Sequence, residues 1–296
     1  MSRFSIAAVQ MALPVADNVA AMARQVGVVK KRFPWVNMVV FGELSAFGAR
    51  PQTAQPMPGP AEDHFRAVAR QHKTWLVPGS LYEIDGGSIY NTMPVIDPDG
   101  EIVARYRKIF PFLPYESGVA AGAECVVFDV PGAGRFGMSI CYDMWFPETT
   151  RTLAWLGAEV VLHPSLTNTI DRDAELIIAR AGAITNQCYF VDVNNCGDMA
   201  YGRSIIVGPE GEILHQAGET AQIMPVTVDF EHVRHVRRNG IKGLGQPLKS
   251  FRDSSVDFPP YRDGAGSARL DALGPLSMPG SQWSAVDLDS AAGGDD

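Results

Sequence analysis

The feature that most constrains the fold of this chain is an alternation of short apolar runs with longer amphipathic stretches. Apolar runs at residues 5–11, 38–41 and 75–79 are separated by two stretches, 15–32 and 61–72, in which apolar residues recur near every third or fourth position. This recurrence is typical of helices that face a core, whereas short runs rich in Val, Ile and aromatic residues are typical of strands. The first part of the chain therefore predicts an α/β fold.

The second part of the chain continues the alternation. Helices are predicted at 147–156 and 171–185, and in the second of these Ile177, Ala181 and Ile184 are expected to share one face. Strands are predicted at 91–96, 101–106, 125–130, 136–140, 159–162, 189–194, 203–207, 212–215 and 222–228.

Two similar turns lie about half a chain apart. Pro98-Asp99-Gly100 and Pro209-Glu210-Gly211 each follow an apolar strand and precede a returning strand, which is a hairpin pattern. Both follow comparable strand–helix units. The pattern favours two similar α-β halves, stacked sheet to sheet with helices outside; the alternative is two unrelated hairpins of a common type.

Charge and length exclude several classes of protein. The 296 residues are 46% hydrophobic and carry a formal net charge of −8, without a basic cluster. Such a chain is a poor match for nucleic acid or anionic lipid, so we expect neither a nucleic-acid partner nor a membrane partner. The first apolar run is broken by Gln10, and no later stretch approaches ~20 apolar residues, which predicts a cytoplasmic protein.

The cysteines predict neither a disulfide framework nor a metal site. Cys125, Cys141, Cys188 and Cys196 show no C-x-x-C spacing and no paired histidines nearby. Three of the four are expected to fill core strands, which is the common fate of a free cysteine.

The composition of the chain changes near its C-terminal end. From residue 263 onward Gly, Ala, Ser, Asp and Pro dominate, and such a stretch buries too little apolar surface to order itself alone. We therefore predict a domain at 1–262 and a C-terminal extension at 263–296, either partly flexible or packed on a partner subunit.

Three polar residues stand at or near the ends of apolar strands. Glu43 follows a buried run, where a carboxylate is costly unless it is paired or turns to solvent. Lys108 enters an aromatic, proline-rich loop, and the alternative is an edge strand with solvated charges. Cys141 ends a strand shortly before Pro147, which can open a helix. Such an elbow exposes a nucleophile and offers backbone N–H groups to an oxyanion, although a lone cysteine is more often inert core.

Together these segments resemble the nitrilase superfamily of carbon–nitrogen hydrolases. The family has a glutamate after its second strand, then Y-R-K before an aromatic loop, then C-x-D-x-x-x-P-E at an elbow. The chain carries these in family order, as Glu43, Tyr106-Arg107-Lys108 and the segment from Cys141 to Glu148. Segments similar to the family's R-A-x-x-x-x-N and G-x-S-x-I-x-x-P-x-G follow at 180–187 and 202–211. The resemblance covers roughly residues 4–228 and leaves the C-terminal stretch uncovered.

The resemblance implies a four-layer α-β-β-α sandwich of two stacked sheets, assembled as a homodimer or a higher homo-oligomer, with no metal and no organic cofactor. It also implies site residues. Cys141 would be the nucleophile and Glu43 the general base. Lys108 and the backbone N–H of Tyr142 would stabilise the oxyanion, and Glu116 would hold Lys108 in position.

The implied activity is hydrolysis of a small carboxamide to a carboxylate and ammonia, through a cysteine thioester. An N-carbamoyl amide hydrolase is an alternative, and a carboxylate-bearing substrate would then need a pocket arginine, for which Arg151 and Arg172 are candidates. A nitrilase is less favoured, because Tyr142-Asp143 departs from the usual C-W-E. The alternative from another class is a non-catalytic binding protein with the same fold.

Aromatic side chains are the candidates for a small substrate pocket. Phe47, Tyr115, Trp145 and Phe146 are the aromatic residues that could line such a pocket. We predict that substrate is contacted by Phe47, Tyr115, Tyr142 and Trp145. Core packing explains any one of the aromatic rings equally well. The family's frequent histidine two residues after the lysine is Phe110 here, which leaves the branch of the family open.

Overall fold

A computed structural model describes residues 3–262, 264 and 266–278 of the protein. The strands are β1 Arg3–Gln10, β2 Met38–Phe41, β3 Trp75–Val77, β4 Leu81–Asp85, β5 Ser88–Ile96, β6 Ile102–Arg107, β7 Val119–Ala120, β8 Val127–Val130, β9 Gly134–Met138, β10 Val160–Ser165, β11 Tyr189–Asn194, β12 Ile205–Val207, β13 Ile213–Gln216 and β14 Gln222–Asp229. The helices are α1 Val19–Arg32, α2 Pro60–His72, α3 Pro147–Trp155, α4 Arg172–Asn186, α5 Phe230–Asn239, α6 Pro247–Arg252 and α7 Ala268–Asp271. The predicted strands and helices are confirmed to within a few residues, whereas β4, β7 and α5–α7 had not been predicted.

The described residues form two compact units. The larger contains the chain up to Pro111 together with Val119–Asp253, and the smaller contains Phe112–Gly118 and the described residues from Ser254 onward. All the strands and the helices α1–α6 belong to the larger unit. The predicted extension at 263–296 lies in large part outside the described residues, and its role stays a prediction.

The strands of the larger unit form one sheet of eight strands and one of six, with the same arrangement of strands at their centres. The first has the order β14-β1-β2-β3-β5-β4, with β6 and β7 also paired to β5, and the second has the order β13-β12-β11-β10-β9-β8. In each sheet three consecutive strands are parallel, β1-β2-β3 and β9-β10-β11, and an antiparallel strand borders them on either side. This repeated connectivity confirms the predicted pair of similar α-β halves.

The core of the larger unit lies in three layers between the secondary-structure elements. Between the sheets, Ile6 and Val40 of the first meet Phe136 and Leu162 of the second. The other faces of the sheets pack against α1 and α2 on one side, and against α3 and α4 on the other. Because both faces of every central strand are buried, those strands read as continuous apolar runs. The unit is therefore the predicted four-layer α-β-β-α sandwich.

Helix α4 buries a different face from the one that its isoleucines suggested. Ile177 is 70% exposed, and the residues that pack against the sheet are Leu176, Ala179 and Ala183. The same buried face also carries Arg172 and Glu175, which form an ion pair at 2.9 Å. A buried pair of charges breaks the apolar periodicity, so the buried face could not be read from apolar residues alone.

Other predictions concern membrane insertion, metal binding, cellular location and oligomeric state. Within the described part of the chain, no helix is both long enough and apolar enough to cross a bilayer. In that same part, no group of three or more His, Cys, Asp or Glu side chains could hold a metal ion. The cytoplasmic location and the homo-oligomeric state stay predictions.

Candidate active site

Strands from both sheets end at the same place and bring three predicted side chains together. Glu43 follows β2, Lys108 follows β6 and Cys141 lies just beyond β9. The backbone N–H of Glu43 donates to the carbonyl oxygen of Ser165, the last residue of β10, at 3.1 Å, which joins the two sheets. The backbone N–H of Lys108 donates to the carbonyl of Asn91 at 2.9 Å. Glu43 and Lys108 are thus fixed by backbone hydrogen bonds to strand residues rather than by a free loop.

Glu43 and Lys108 form a buried ion pair. Lys108 Nζ donates to Glu43 Oε1 at 2.9 Å, and the two side chains are 1% and 3% exposed. Asn91 Nδ2 donates to the same oxygen at 2.7 Å. A buried pair is tolerated only where further hydrogen bonds complete its geometry, so the amide of Asn91 belongs to the site. Sequence reasoning missed Asn91, which lies inside β5.

The backbone around Glu43 is held by the other sheet and by a glycine. Asn195 Nδ2 donates to the Glu43 carbonyl at 2.9 Å, and Ser45 Oγ donates to Asn195 Oδ1 at 2.8 Å. Gly79 has a φ of +76°, and a Cβ there would lie 1.8 Å from the carbonyl oxygen of Gly42. Only glycine allows so close a backbone approach. The Glu43 carboxylate therefore sits on a rigid support.

Cys141 opens a tight turn at the end of its strand. The residue begins a short 3-10 helix, Cys141–Trp145, with a φ of +45°. This left-handed conformation is unfavourable by roughly 1–2 kcal/mol for a residue with a Cβ, and it is kept only where the surroundings enforce it. The elbow that the sequence predicted therefore has the backbone strain that is common at functional sites.

Asp143 enforces the conformation of this elbow. Its Oδ2 accepts hydrogen bonds from the backbone N–H of Ile140 at 2.8 Å and from the Tyr106 hydroxyl at 2.6 Å. Its Oδ1 accepts from the backbone N–H of Phe110 at 2.9 Å. Since Tyr106 and Phe110 flank Lys108, one carboxylate ties the elbow to the segment that carries the lysine. Burial raises the pKa of Asp143 to about 6, and these three donors oppose that rise.

Burial favours the protonated form of the Cys141 thiol. Burial raises the pKa of this thiol well above its usual value, and the negative charge of Glu43 raises it further. The ammonium of Lys108 lowers the pKa of the same thiol but does not reverse the shift. A neutral thiol is a weak nucleophile, so attack by Cys141 requires a base close by, and Glu43 is close enough for its charge to act on the thiol.

The two arginines considered for a substrate carboxylate are engaged elsewhere. Arg172 is 1% exposed, and its guanidinium donates to the carboxylates of Glu175 and Asp192. Arg151 on α3 lies over the ring of Phe251 at 5.2 Å. Arg172 already has its counter-charges, so it does not offer a free cation to a substrate.

The predicted pocket aromatics of the larger unit divide between several environments. Phe47 packs against the cluster between the first sheet and its helices, and Trp145 packs against the cluster between the second sheet and its helices. Tyr142 is half-buried, with its ring edge-on to Phe146 at 5.3 Å. Phe146 in turn stacks on Phe110 at 3.6 Å, a contact that sequence reasoning missed. The contacts of Phe47 and Trp145 are those of core packing, and contact with substrate stays a prediction for all three predicted residues.

Glu116 and Tyr115 belong to the smaller unit. Glu116 is half-buried, and its Oε2 accepts a hydrogen bond from the backbone N–H of Phe112 at 2.6 Å. The Tyr115 ring stacks on the ring of Phe112 at 4.7 Å. These contacts order the Phe112–Gly118 segment. The predicted contact between Glu116 and Lys108 stays a prediction.

The fold and the site together define a cysteine-dependent hydrolase of the α-β-β-α class. Comparison with known families agrees, because the family model described as carbon-nitrogen hydrolase matches residues 5–238. The chain belongs to the carbon–nitrogen hydrolase family, within the nitrilase superfamily that the sequence motifs predicted.

Curated relatives are amidases of more than one kind. Omega-amidase NIT2 of Homo sapiens is 31% identical over 231 residues, which cover 72% of this chain and 80% of the relative. Formamidase of Bacillus cereus (strain B4264) is 29% identical over 285 residues, which cover 88% of this chain and 86% of the relative. Both relatives are aligned over more than two thirds of this chain.

Solved structures with this fold include enzymes of the same superfamily. Nit3 of Saccharomyces cerevisiae has a TM-score of 0.74 at 28% identity and covers 80% of this chain and 94% of its own. A variant of the amidase from Nesterenkonia sp. AN1 has a TM-score of 0.70 at 25% identity and covers 79% and 94%. That amidase carries the acetamide moiety of fluoroacetamide covalently on its active-site cysteine.

Replacing Tyr106 with Phe is expected to move the acidic limb of the kcat/KM profile to higher pH. When Asp143 takes up a proton, one of its oxygens becomes a donor and loses a bond that holds the elbow, so activity should fall as the pH drops through about 6. The Tyr106 hydroxyl lowers the pKa of Asp143, since it donates to the ionised form. Removal of the Tyr106 hydroxyl should therefore move the midpoint of the acidic limb to a pH about one unit higher.

The measurement is kcat/KM from pH 5 to 8 for the wild type and two variants. Tyr189→Phe is the matched control, because the hydroxyl of Tyr189 accepts from the backbone N–H of Asp229 instead of contacting the elbow. An acidic limb that does not move in Tyr106→Phe contradicts this account of Asp143.

Proposed function

We propose that the protein hydrolyses a small carboxamide to a carboxylate and ammonia through a thioester on Cys141. The observation that carries the proposal is the buried Glu43–Lys108 pair next to a neutral thiol held in a left-handed elbow. Acyl transfer from an amide requires a base, a cation and a nucleophile close together, and Glu43, Lys108 and Cys141 would supply them. The amidase relatives support the same reaction class.

The first half of the proposed reaction forms the thioester. Glu43 takes the thiol proton as Cys141 Sγ attacks the carbonyl carbon, which gives a tetrahedral oxyanion. Lys108 Nζ and the backbone N–H of Tyr142 stabilise that oxyanion. The intermediate then expels the amine, which takes the proton from Glu43 and leaves as ammonia.

The second half returns the enzyme to its starting state. Glu43 removes a proton from water, and the resulting hydroxide attacks the thioester carbon. The second tetrahedral intermediate expels the Cys141 thiolate, which takes the proton back from Glu43. The product leaves as the carboxylic acid and gives its proton to the released ammonia or to solvent, which yields the carboxylate. Buried Lys108 keeps the Glu43 carboxylate ionised between these transfers, because an adjacent positive charge favours the charged form.

The engagement of Arg172 favours a simple carboxamide over a carboxylate-bearing N-carbamoyl substrate. Arg172 was one of two arginines that could have bound such a carboxylate, and its guanidinium already donates to two carboxylates of the protein and to the Arg203 carbonyl. The second candidate function, hydrolysis of an N-carbamoyl amide, rests on the same catalytic residues. The two substrate classes differ in the carbonyl carbon, which carries a second nitrogen in an N-carbamoyl compound.

Ammonia release across a matched substrate panel tests the proposed function. The panel contains formamide, acetamide, propionamide, a short ω-amide of a dicarboxylic acid, two N-carbamoyl amino acids and two short nitriles. We expect at least one carboxamide to be turned over with a higher kcat/KM than every N-carbamoyl compound and nitrile. Turnover confined to nitriles or to N-carbamoyl compounds would contradict the proposal.

Replacing Glu116 with Gln is expected to lose far more activity than stability. We propose that the Glu116 carboxylate orients Lys108, and loss of one preorganised partner at an oxyanion site commonly costs ~10²–10³ in kcat. Substitution in a half-exposed loop typically changes the free energy of unfolding by about 0.5 kcal/mol or less. The measurement is kcat and a denaturation midpoint on the same preparation.

Glu124→Gln is the matched control for this variant. Glu124 is an exposed glutamate in the larger unit and has no proposed role. It should keep both its activity and its midpoint. A fully active Glu116→Gln enzyme would remove Glu116 from the catalytic set and leave Glu43, Lys108 and Cys141 in place.

A further inference from the structure

A second carboxylate approaches Cys141 from the side of helix α4. Thr167 Oγ1 lies 3.9 Å from Cys141 Sγ, within hydrogen-bond range for sulfur, and 3.0 Å from Glu175 Oε1. Thr167 is 5% exposed and Glu175 is 2% exposed. The buried Thr167 hydroxyl thus lies in contact with both the half-buried thiol of Cys141 and the buried carboxylate of Glu175.

The position of Thr167 is fixed independently of Cys141. Its backbone N–H donates to Asn194 Oδ1 at 2.9 Å, and Asn194 Nδ2 donates back to the Thr167 carbonyl at 3.0 Å. The side-chain amide of Asn194 thus holds the Thr167 backbone on both sides. The hydroxyl is therefore already in place before any substrate arrives.

Glu175 is fixed in its turn by a buried arginine. Arg172 Nη1 donates to Glu175 Oε2 at 2.9 Å, and Arg172 Nη2 donates to Asp192. Ser165 Oγ donates to the other oxygen of Asp192 at 2.8 Å. Two carboxylates share one guanidinium, so this cluster carries a net negative charge behind Thr167. Burial raises the pKa of Glu175, and the arginine and the Thr167 hydroxyl oppose that rise. The ion pair with Arg172 at 2.9 Å holds Glu175 as a carboxylate.

The direction of the hydrogen bonds follows from the number of protons. An ionised carboxylate can only accept, so the single hydroxyl proton of Thr167 is directed at Glu175. Towards Cys141 the hydroxyl oxygen then offers only lone pairs, and the contact is favourable when the thiol carries its proton. A thiolate at the same place would face these lone pairs and the cluster charge behind them.

We propose that Thr167 is a positioning residue for Cys141, and that Glu175, acting through Thr167, keeps the thiol protonated until Glu43 takes the proton. This inference rests on the proposed function, since it takes Cys141 as the nucleophile. It gives the site two carboxylates that both favour the protonated thiol at rest, and only Glu43 takes the thiol proton during the reaction. Glu43 activates the nucleophile, and Glu175 prevents its ionisation between turnovers. A resting thiol of this kind reacts slowly with oxidants and electrophiles, because the thiolate is the reactive form.

Several charged groups face the thiol and set its ionisation. Glu43 and Glu175 raise the pKa of the Cys141 thiol, and Lys108 lowers it. His163 on β10 is buried with its pKa lowered to about 4, so it stays neutral above pH 6. Asp143 is ionised above its pKa of about 6. Between pH 7 and 10 the charges of His163 and Asp143 therefore do not change. A change in the ionisation of Cys141 in this range, when the Glu175 charge is removed, does not come from these two groups.

The first test measures alkylation of Cys141 by iodoacetamide as a function of pH, followed by mass spectrometry of the Cys141 peptide. In Glu175→Gln we expect the midpoint of the pH dependence of the alkylation rate to fall by about one pH unit. This shift corresponds to roughly tenfold faster alkylation at pH 7. Asp173→Asn is the matched control, because Asp173 is an exposed carboxylate on the same helix that pairs with Arg203. A midpoint in Glu175→Gln equal to that of Asp173→Asn would overturn the role of Glu175.

The second test uses Thr167 and does not depend on the folding of Glu175→Gln. Thr167→Val keeps the shape of the side chain but loses the hydroxyl, and should lower kcat/KM by about tenfold, the upper range for one hydrogen bond. Thr167→Ser restores the hydroxyl and should stay within about threefold of the wild type. Equal activity in the Val and Ser variants would overturn the positioning role, whether both are active or both are impaired.

The proposed function and the proposed roles of Thr167 and Glu175 can be disproved separately. An active Cys141→Ala enzyme would remove the proposed function and this inference with it. An inactive Cys141→Ala enzyme beside a wild-type Thr167→Val enzyme would remove only the inference about Thr167.

Discussion

Replacing Cys141 with Ala is expected to reduce turnover by roughly 10⁴–10⁶-fold while the protein remains folded. Cys141 is the one cysteine of the four that opens a turn in a left-handed conformation, next to the Glu43–Lys108 pair. The thioester cannot form without its sulfur, and no other group in the proposed mechanism can replace it. The measurements are ammonia release on the best carboxamide of the panel and the thermal midpoint.

Cys188→Ala is the matched control for the nucleophile. Cys188 is fully buried in the cluster between the second sheet and its helices, and burial raises the pKa of its thiol to about 11. Its loss should lower stability slightly and leave kcat within a few-fold of the wild type. Stoichiometric alkylation should inactivate the wild type and Cys188→Ala alike. A folded but inactive Cys188→Ala enzyme would contradict the assignment of Cys141.

Replacing Lys108 with Arg is expected to lower kcat by at least ~10²–10³-fold, although the positive charge is retained. A planar guanidinium is larger than an ammonium and cannot donate from the same point to both Glu43 and an oxyanion. Lys108 is 1% exposed, so the extra volume must also displace its neighbours. The measurement is kcat at saturating carboxamide, together with a denaturation curve that separates lost chemistry from lost folding.

The neighbouring cation provides the control for this substitution. Arg107 pairs with Glu83 and Asp85 at the edge of the first sheet. Arg107→Lys exchanges the same two side-chain types in the opposite direction, one residue away, and should keep kcat within a few-fold. If Lys108→Arg has a kcat near that of the wild type, Lys108 does not stabilise the oxyanion.

The sequence allowed the three central residues to be found because each stands at the end of an apolar run. Glu43, Lys108 and Cys141 are polar side chains in positions where an apolar strand has just ended, and their motifs occur in a fixed order. The fold followed from the same runs, since strands buried on both faces are continuous in sequence. Strand β4 was missed even though Gly86 and Gly87, both with positive φ, form a recognisable hairpin turn after it.

The residues that support the site left weaker signals in the sequence. Asn91 is one polar residue inside a predicted strand, and nothing local shows that its amide meets Glu43. Asp143 belonged to a recognised motif, but its three donors come from Tyr106, Ile140 and Phe110, two of which are more than thirty residues away. The Thr167–Glu175 contact likewise depends on how α4 packs on the second sheet. Such partners are set by tertiary packing, which local patterns do not encode.

The hydrogen bond from the Glu43 amide to the Ser165 carbonyl allows the opening of the fold to be measured at the active site itself. Its two ends belong to different sheets, so this amide proton can exchange with deuterium only when the strand ends move apart. Its exchange rate therefore measures how often the two halves of the sandwich separate at the catalytic edge. If the site opens only with global unfolding, this proton should be among the slowest to exchange. The base and the nucleophile then become misaligned only as often as the whole sandwich unfolds.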